Sequence, residues 1–582
     1  MTNTPTFTRR KLIKGVTASS LIPLLGSNLI GCSNDSSRRG TNPEQAIDSV
    51  PADFNHGVAS GDPLADRVIL WTRVTPEREG DVVVDWELAS EEDFANIITS
   101  GSGVTTADVD YTVKVDAEGL DAGSTYFFRF ITGEKTSPVG KTRTAALGSL
   151  ATASFAVVSC SNYPAGFFNV YREIANRDID AVIHLGDYLY EYAADGYASS
   201  EAEELGRIVE PLNELVSLED YRLRYAQYHG DADLQACHQN HPFIIVWDDH
   251  EVTNNAWRDG AENHQPATEG DYGERKVAAI QAWYEWLPVR PPSSEREIIY
   301  RQLQFGDLVD LLMLDTRIVG RDEQVDYTQF FNGGIIDVDT VRAVLADSNR
   351  TLLGETQRDW LKGALTESTA RWQVLGQQVI MARQPLPEPV ARAFAIALSG
   401  GGVPPEAVQA ILAAVRATNK SPEDRTEQEQ ALLDSAIPLN TDGWDGYDFE
   451  REDILTHASP VDSRLVVLSG DIHNAWNAQF TTADGSNVGV EFTTPSVSSP
   501  GFEDALGAAT ARTVAPLAAN LIEDVKYANL SYRGYYEISF SAEKVETSYH
   551  FIDTVKSTDY SVLQDEGKIF TVDRNRLTIN ET

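Results

Sequence analysis

Six short apolar runs, spread through the chain from Phe155 onward, constrain the fold of these 582 residues more than any other feature. They are Phe155-Ala156-Val157-Val158-Ser159, Ala181-Val182-Ile183-His184-Leu185 (entered through Asp180), Phe243-Ile244-Ile245-Val246-Trp247, Leu311-Leu312-Met313-Leu314, Trp372-Gln373-Val374-Leu375 and Leu465-Val466-Val467-Leu468. Consecutive apolar positions bounded by polar residues describe strands covered on both faces. Helical stretches, such as 167–176, lie between most of them. Such alternation predicts a layered α/β domain over 151–582, with central mixed sheets flanked by helices. In domains of this kind, reactive residues gather just past the carboxyl ends of the strands.

The pattern before residue 151 is different. Val68-Ile69-Leu70-Trp71-Thr72-Arg73-Val74, Val82-Val83-Val84-Asp85-Trp86-Glu87-Leu88 and Tyr126-Phe127-Phe128-Arg129-Phe130 are rich in β-formers and separated by Gly- and Asp-rich turns. This predicts a small antiparallel β-sandwich over 52–150. Further upstream, Thr8-Arg9-Arg10-Lys11-Leu12-Ile13-Lys14 resembles a twin-arginine export signal. The apolar stretch 15–30 contains Ser19-Ser20 and Pro23, too short and interrupted for a stable membrane span. It closes on Leu29-Ile30-Gly31-Cys32, a lipobox-like ending, with a plain signal and an incidental cysteine as the alternative. The expectation is a signal over 1–32 and a polar tether over 33–51. Export would use the twin-arginine machinery, to the periplasm or cell surface, with a lipid on Cys32 as the only membrane contact. A helical insertion is expected at 386–437, where an Ala-, Glu- and Gln-rich stretch is broken by Gly400-Gly401-Gly402 and Pro404-Pro405.

Charge narrows the partners. There are 88 acidic and 47 basic side chains, a formal net charge of -41. Such a surface repels nucleic acid and anionic lipid, so binding of polyanions by surface charge is excluded. An anionic substrate would need a local positive centre, which metal ions supply. Beyond Cys32 only Cys160 and Cys237 remain, too few for a disulfide framework.

Four of the runs end in ligand-type residues: Cys160-Ser161-Asn162, Gly186-Asp187-Tyr188-Leu189-Tyr190, Asp248-Asp249-His250-Glu251 and Gly470-Asp471-Ile472-His473. A lone strand-end Asp is most often a cap. Four such ends on one side of a single sheet make a knot of like charge, which cations must neutralise. Gly186-Asp187-Tyr188-Leu189-Tyr190 resembles the GDxxY motif of purple acid phosphatase-type metallophosphoesterases. Asp249-His250-Glu251 resembles their NHE motif with Asp for Asn, and Gly470-Asp471-Ile472-His473 their GHxH motif with Asp for the first His. Cys160 stands where that superfamily has its first Asp. Together these departures resemble the PhoD-like (alkaline phosphatase D) branch. Also similar to it are Gly57-Val58-Ala59-Ser60-Gly61-Asp62-Pro63, Phe168-Asn169-Val170-Tyr171-Arg172-Glu173-Ile174-Ala175, Gly260-Ala261-Glu262-Asn263-His264, Glu285-Trp286-Leu287-Pro288-Val289-Arg290 and Pro495-Ser496-Val497-Ser498-Ser499-Pro500-Gly501.

The resemblance implies one ferric ion on Cys160, Asp187, Tyr190 and His473, a donor set whose anionic phenolate and carboxylate suit a hard trivalent ion. It implies a second ion bridged by Asp187 and held by Asp249 and Asp471, an all-oxygen set that suits calcium. A further calcium is implied nearby, with Asp248, Asn255 and Glu214 as candidates. His250 is the candidate general acid, and Asn162 and Arg275 are candidate phosphate contacts. His184 is expected in the core or supporting a ligand, and Cys237 in packing; His238, His241 and His264 have no assigned role. The implied activity is hydrolysis of phosphate mono- or diesters by water that the metals activate, attacking phosphorus in line without a phospho-enzyme. Residues alone leave two alternatives: another metal-dependent ester hydrolase, or an inactive lipid-anchored binding module.

Overall fold

The computed structural model describes residues 48–292, 295–332, 335–396, 405–458, 464–481 and 487–582. The expected signal over 1–32 with Cys32, and most of the tether, lie outside these residues, as do Gly400-Gly401-Gly402 and Pro404. The described residues form one compact unit.

Two large sheets make the central layers. The first has ten strands in the order Ile579–Glu581, Ile569–Asp573, Lys544–Ile552, Arg533–Phe540, Ala153–Val158, Ala181–His184, Pro242–Ile245, Val58–Gly61, Arg67–Arg73 and Thr112–Glu118. Its centre is parallel, Val157 opposite Ile183 and Ile183 opposite Ile244. The second has seven strands, in the order Arg301–Phe305, Val309–Met313, Trp372–Gly376, Arg464–Ser469, Asn487–Thr493, Ala475–Thr481 and Val525–Asn529. Its inner four are parallel.

The period of two along a strand explains how the layers stack. Leu311, Val374, Val466, Leu468, Val490 and Phe492 share one buried core with Phe155, Val157, Ile183 and Ile538 of the first sheet. Their neighbours Leu312, Leu375, Leu465 and Val467 instead pack with Leu361 and Leu365 of the helix Gly354–Glu367 and with Ile454 of Asp448–Ala458. Continuous apolar strands are thus buried between the facing sheet and a helical layer, as their composition requires.

The N-terminal strands do not stand apart. Val58, Val68, Leu70, Val113 and Val115 share a third core with Val82, Val84, Leu88, Phe128 and Phe130 of a separate five-stranded antiparallel sheet. This is a two-sheet packing, but one of its sheets is the end of the ten-stranded sheet, joined where Pro242 and Phe243 pair in parallel with Ser60 and Gly61. The excursion near 386–437 contains the helices Glu388–Ile396, Pro405–Thr418 and Glu427–Asp434. A two-stranded clasp closes it, Leu386 opposite Ile437.

Candidate metal centre

Three candidate ligand loops leave the ten-stranded sheet. Ala153–Val158 runs on to Cys160, Ala181–His184 to Asp187, and Pro242–Ile245 to Asp248 and Asp249. The fourth leaves the other sheet: Arg464–Ser469 pairs with Trp372–Gly376 and Asn487–Thr493 and runs on to Asp471 and His473. The expectation of one sheet carrying all four is therefore corrected, because the site lies where two stacked sheets present the same end. Cys160, Asp187, Asp471 and His473 have φ of 64°, 53°, 62° and 57°. An L-residue held there costs on the order of 1 kcal/mol or more, and such strain concentrates at functional sites. Gly186 has φ of 104°, and a Cβ on it would lie 2.4 Å from Cβ of Asp248. Only glycine lets these two loops touch.

Cys160, Asp187 and His473 bring ligand atoms within 4.8 Å of one another. Tyr190 joins them: its hydroxyl is 2.9 Å from Oδ2 of Asp187 and 3.0 Å from Nε2 of His473. Nδ1 of His473 lies 2.8 Å from the Pro500 carbonyl, which fixes the proton on Nδ1 and leaves the Nε2 lone pair facing the group. The Ser499 hydroxyl donates to the Tyr190 oxygen at 2.6 Å. Burial, and then the Asp187 charge, push both the Cys160 thiol and the Tyr190 phenol up. A cation among them would oppose both shifts.

Two further groups adjoin the first, Asp187 with Asp249 and His250, and Asp248 with Asp249 and Asp471, each with ligand atoms within 4.8 Å of one another. Burial, against the opposing pull of Arg317, pushes Asp471 up to about 8 and Asp248 well up as well. For Asp249 burial acts in the same direction, but Arg317 and His250 outweigh it and hold the carboxyl at about 2. Oδ1 of Asp187, Oδ2 of Asp248 and Oδ1 of Asp249 are buried without a hydrogen-bond partner. Such oxygens are costly unless something positive meets them. Thiol, phenol, imidazole and carboxylates converging with unused oxygens fit a cluster of metal ions.

His250 lies against this cluster, its ring centroid 4.2 Å from that of Tyr190. Nδ1 is 2.7 Å from Oε2 of Glu191, so Nε2 is the free end. Burial lowers its pKa, but Asp187, Asp249 and Glu191 together raise it well above the ordinary histidine value. Asn162 is fully buried with Nδ2 unpartnered, a donor in reserve. Arg275 is placed differently from the phosphate contact expected of it. Its guanidinium donates to Glu214 at 2.8 Å, to Glu269 at 3.2 Å and to the Tyr221 hydroxyl at 3.1 Å. That pairing also commits Glu214, which accepts from Asn263 at 3.2 Å, while Asn263 in turn donates to Glu191 at 3.0 Å. Both residues thus connect to His250 only through Asn263 and Glu191. The Asn255 side chain donates to Glu262, and its backbone N–H donates to Oδ2 of Asp249. His184 is buried, 2.9 Å from the Tyr171 hydroxyl, and His238 is 2.9 Å from that of Tyr188. Cys237 is buried in the core.

Three residues of the site have no role in the sequence reading, which quotes Glu251 within a motif and passes over the other two. Glu251 accepts the backbone N–H groups of Asp187, Tyr188 and Asp248, tying two ligand loops together. Gln378 ties the sheets: Nε2 donates to the carbonyls of Trp247 at 2.7 Å and Leu314 at 2.9 Å, while Oε1 accepts from Thr316. Arg317 is buried among Asp248, Asp249, Asp442 and Asp471. The signal for it was position, since it follows the apolar run Leu311-Leu312-Met313-Leu314 by three residues.

Comparison with known proteins bears on this geometry. Residues 155–549 match the family described as PhoD-like phosphatase, and residues 40–146 match its N-terminal domain. The chain belongs to the PhoD-like phosphatase family. Alkaline phosphatase D of Bacillus subtilis (strain 168) is 33% identical over 518 residues, 85% of this chain and 77% of that protein. A solved structure of PhoD superposes with a TM-score of 0.72 at 29% identity, covering 92% of this chain and 93% of that one. Membership makes the protein a phosphoric ester hydrolase, and PhoD-like phosphatases imply metal cofactors, for which the three ligand groups are candidates. The family's two matched segments meet between 146 and 155, within the unit that the ten-stranded sheet holds together. Among the described residues no helix is long and apolar enough to cross a membrane.

Proposed function

We propose that this chain is an exported, metal-dependent hydrolase of phosphate mono- and diesters. One ferric ion would be held by Cys160, Asp187, Tyr190 and His473, and one or two calcium ions by Asp187, Asp249, Asp471 and Asp248. The observation that carries the reading is the sharing of Asp187 and Asp249 between adjoining ligand groups whose buried carboxylates keep unpartnered oxygens. Phenolate and thiolate beside a carboxylate favour a trivalent ion, and the all-oxygen groups favour calcium. When bound, such ions supply Lewis acidity at the phosphate oxygens and make water acidic enough to serve as a nucleophile near neutral pH.

The protein's own groups do the rest. Nδ2 of Asn162 donates to a phosphate oxygen and orients the ester. Glu191 holds Nδ1 of His250, so that Nε2 delivers its proton to the departing alkoxide. Burial of the site excludes bulk water and strengthens both contacts. Water replaces the alcohol in line, and no side chain becomes phosphorylated. The Thr8–Lys14 segment and Cys32 support export by the twin-arginine route and lipid anchoring at the periplasmic or cell surface. Changing Arg9 and Arg10 to Lys should retain the protein inside the cell, and Cys32→Ala should release it from the membrane fraction.

The purified protein is to be assayed on p-nitrophenyl phosphate, bis-(p-nitrophenyl) phosphate and p-nitrophenyl acetate, with iron and calcium measured on the same sample. Turnover of phosphorus esters alone is expected, with iron bound, visible absorbance, and loss of activity in Cys160→Ala. Undiminished turnover in Asp249→Ala, or hydrolysis of the acetate alone, would overturn the reading.

A further inference from the structure

Arg317 reaches from the end of the seven-stranded sheet into the ligand loops of the other. Its Nε lies 2.5 Å from Oδ1 of Asp248, and one terminal nitrogen lies 2.9 Å from Oδ1 of Asp471 and 3.7 Å from Oδ1 of Asp249. The other terminal nitrogen lies 2.8 Å from Oδ1 of Asp442, which also pairs with Arg321. The Arg317 side chain is fully buried, with 0% exposure. Every direction of the guanidinium fork therefore ends on a carboxylate, and three of those carboxylates form one of the ligand groups. Their oxygens are divided. Oδ1 of Asp248 is taken by the arginine, while Oδ2 of Asp248 has no partner.

A buried like-charge cluster comes apart unless something positive remains in it at all times. A dissociable ion cannot guarantee that, because its occupancy follows its concentration. A covalently tethered guanidinium can. Arginine also keeps its charge under all conditions the fold survives, and its planar fork fixes the angle at which each carboxylate is held.

We propose that Arg317 is a resident counter-ion of the second ion site, a positioning residue that holds Asp248, Asp249 and Asp471 in their ion-ready arrangement whether or not an ion is bound. The inference rests on reading those carboxylates as an ion site. It predicts that removing the charge transfers the task to the dissociable ion. The Arg317→Met variant should fold only marginally in chelator and regain stability when calcium is supplied.

The test is the melting temperature of full-length protein in EGTA and in excess calcium chloride. For Arg317→Met the rise on adding calcium should be at least roughly twice that of wild type, and Arg317→Lys, which keeps the charge without the fork, should fall between the two. Arg451→Met is the control. Arg451 is a buried arginine of another cluster, paired with Asp524 and Glu452, so its loss should lower both melting temperatures equally. If Arg317→Met does not fold in EGTA, it is prepared and kept in calcium, where the proposal requires folded protein; failure there too overturns it. An Arg317→Met response no larger than that of wild type also overturns it, as does a Lys variant that behaves like Met. If wild type itself shows no response to calcium and binds none, the reading of an ion site fails first, and the two failures are distinguishable.

Discussion

The hydroxyl of Tyr190 has one proton and two neighbours that want it. Oδ2 of Asp187 is 2.9 Å away and Nε2 of His473, an acceptor because Nδ1 is committed to Pro500, is 3.0 Å away. Ser499 donates to the same oxygen. Whichever acceptor gains the proton, the other is left facing lone pairs, and a cation at the centre resolves the conflict by letting the phenol ionise. With the ferric ion proposed above, the Tyr190→Phe protein should retain some iron on its remaining ligands but lose the tyrosinate contribution to its visible spectrum. Its phosphoesterase activity should fall by on the order of 10²-fold or more, checked by absorbance beside kcat/KM. The ligand-type residues were legible in the sequence because they sit one to five positions past apolar runs, and their chemistry is that of ligands. Arg317 and Gln378 follow runs in the same way, but a cation and a neutral amide do not look like metal donors. Arg275 misled for the converse reason: a guanidinium on the helix Tyr272–Trp286 reads alike whether it faces a phosphate or, as here, Glu214 and Glu269.

At the scale of elements, the site depends on two sheets keeping a fixed stagger. Gln378 holds it by donating from the seven-stranded sheet to Trp247, whose strand belongs to the other, and to Leu314. Gln378→Ala would leave two buried carbonyls unpaired, at a cost of about 1–3 kcal/mol each. It should lower the melting temperature and also reduce kcat more than KM, because Asp249 and Asp471 shift relative to each other; stability and steady-state kinetics check the two effects separately. The strands themselves were legible because apolar runs of four or five residues have few other uses. Their grouping was not: Val466 and Val182 look alike in sequence, and only the pairing of Arg464–Ser469 with Trp372–Gly376 shows that they belong to different layers. The N-terminal strands were legible from their β-formers and the turns between them, while their fusion to the central sheet depends on one parallel pairing, at Pro242 and Phe243, that no local pattern announces.

For the molecule as a whole, buried histidines set an acid limit. Burial holds His184 and His238 at about 3 and His229 well below its ordinary value. In the unfolded chain these rings take up protons near 6.5, so between about 6.5 and 3 the unfolded state binds more protons. Stability is then fully present above 6.5 and is lost as pH falls through that window, by about 1.4 kcal/mol per pH unit for each ring. His238→Asn should start from a lower melting temperature at pH 7 yet lose less of it by pH 4.5, as thermal unfolding at both values will show.

The strand Val58–Gly61 carries a consequence of another kind. It covers what would otherwise be the raw margin of Pro242–Ile245, in the middle of the layer that carries Asp187 and Asp249. Expressed alone, 151–582 should emerge as aggregate through that bare margin, and co-expression with 48–150 should rescue solubility. A protease nick near residue 150 should leave both pieces associated until denaturant is added. The hydrolase therefore cannot be trimmed to its chemistry: residues 48–150 supply a rib of the catalytic half.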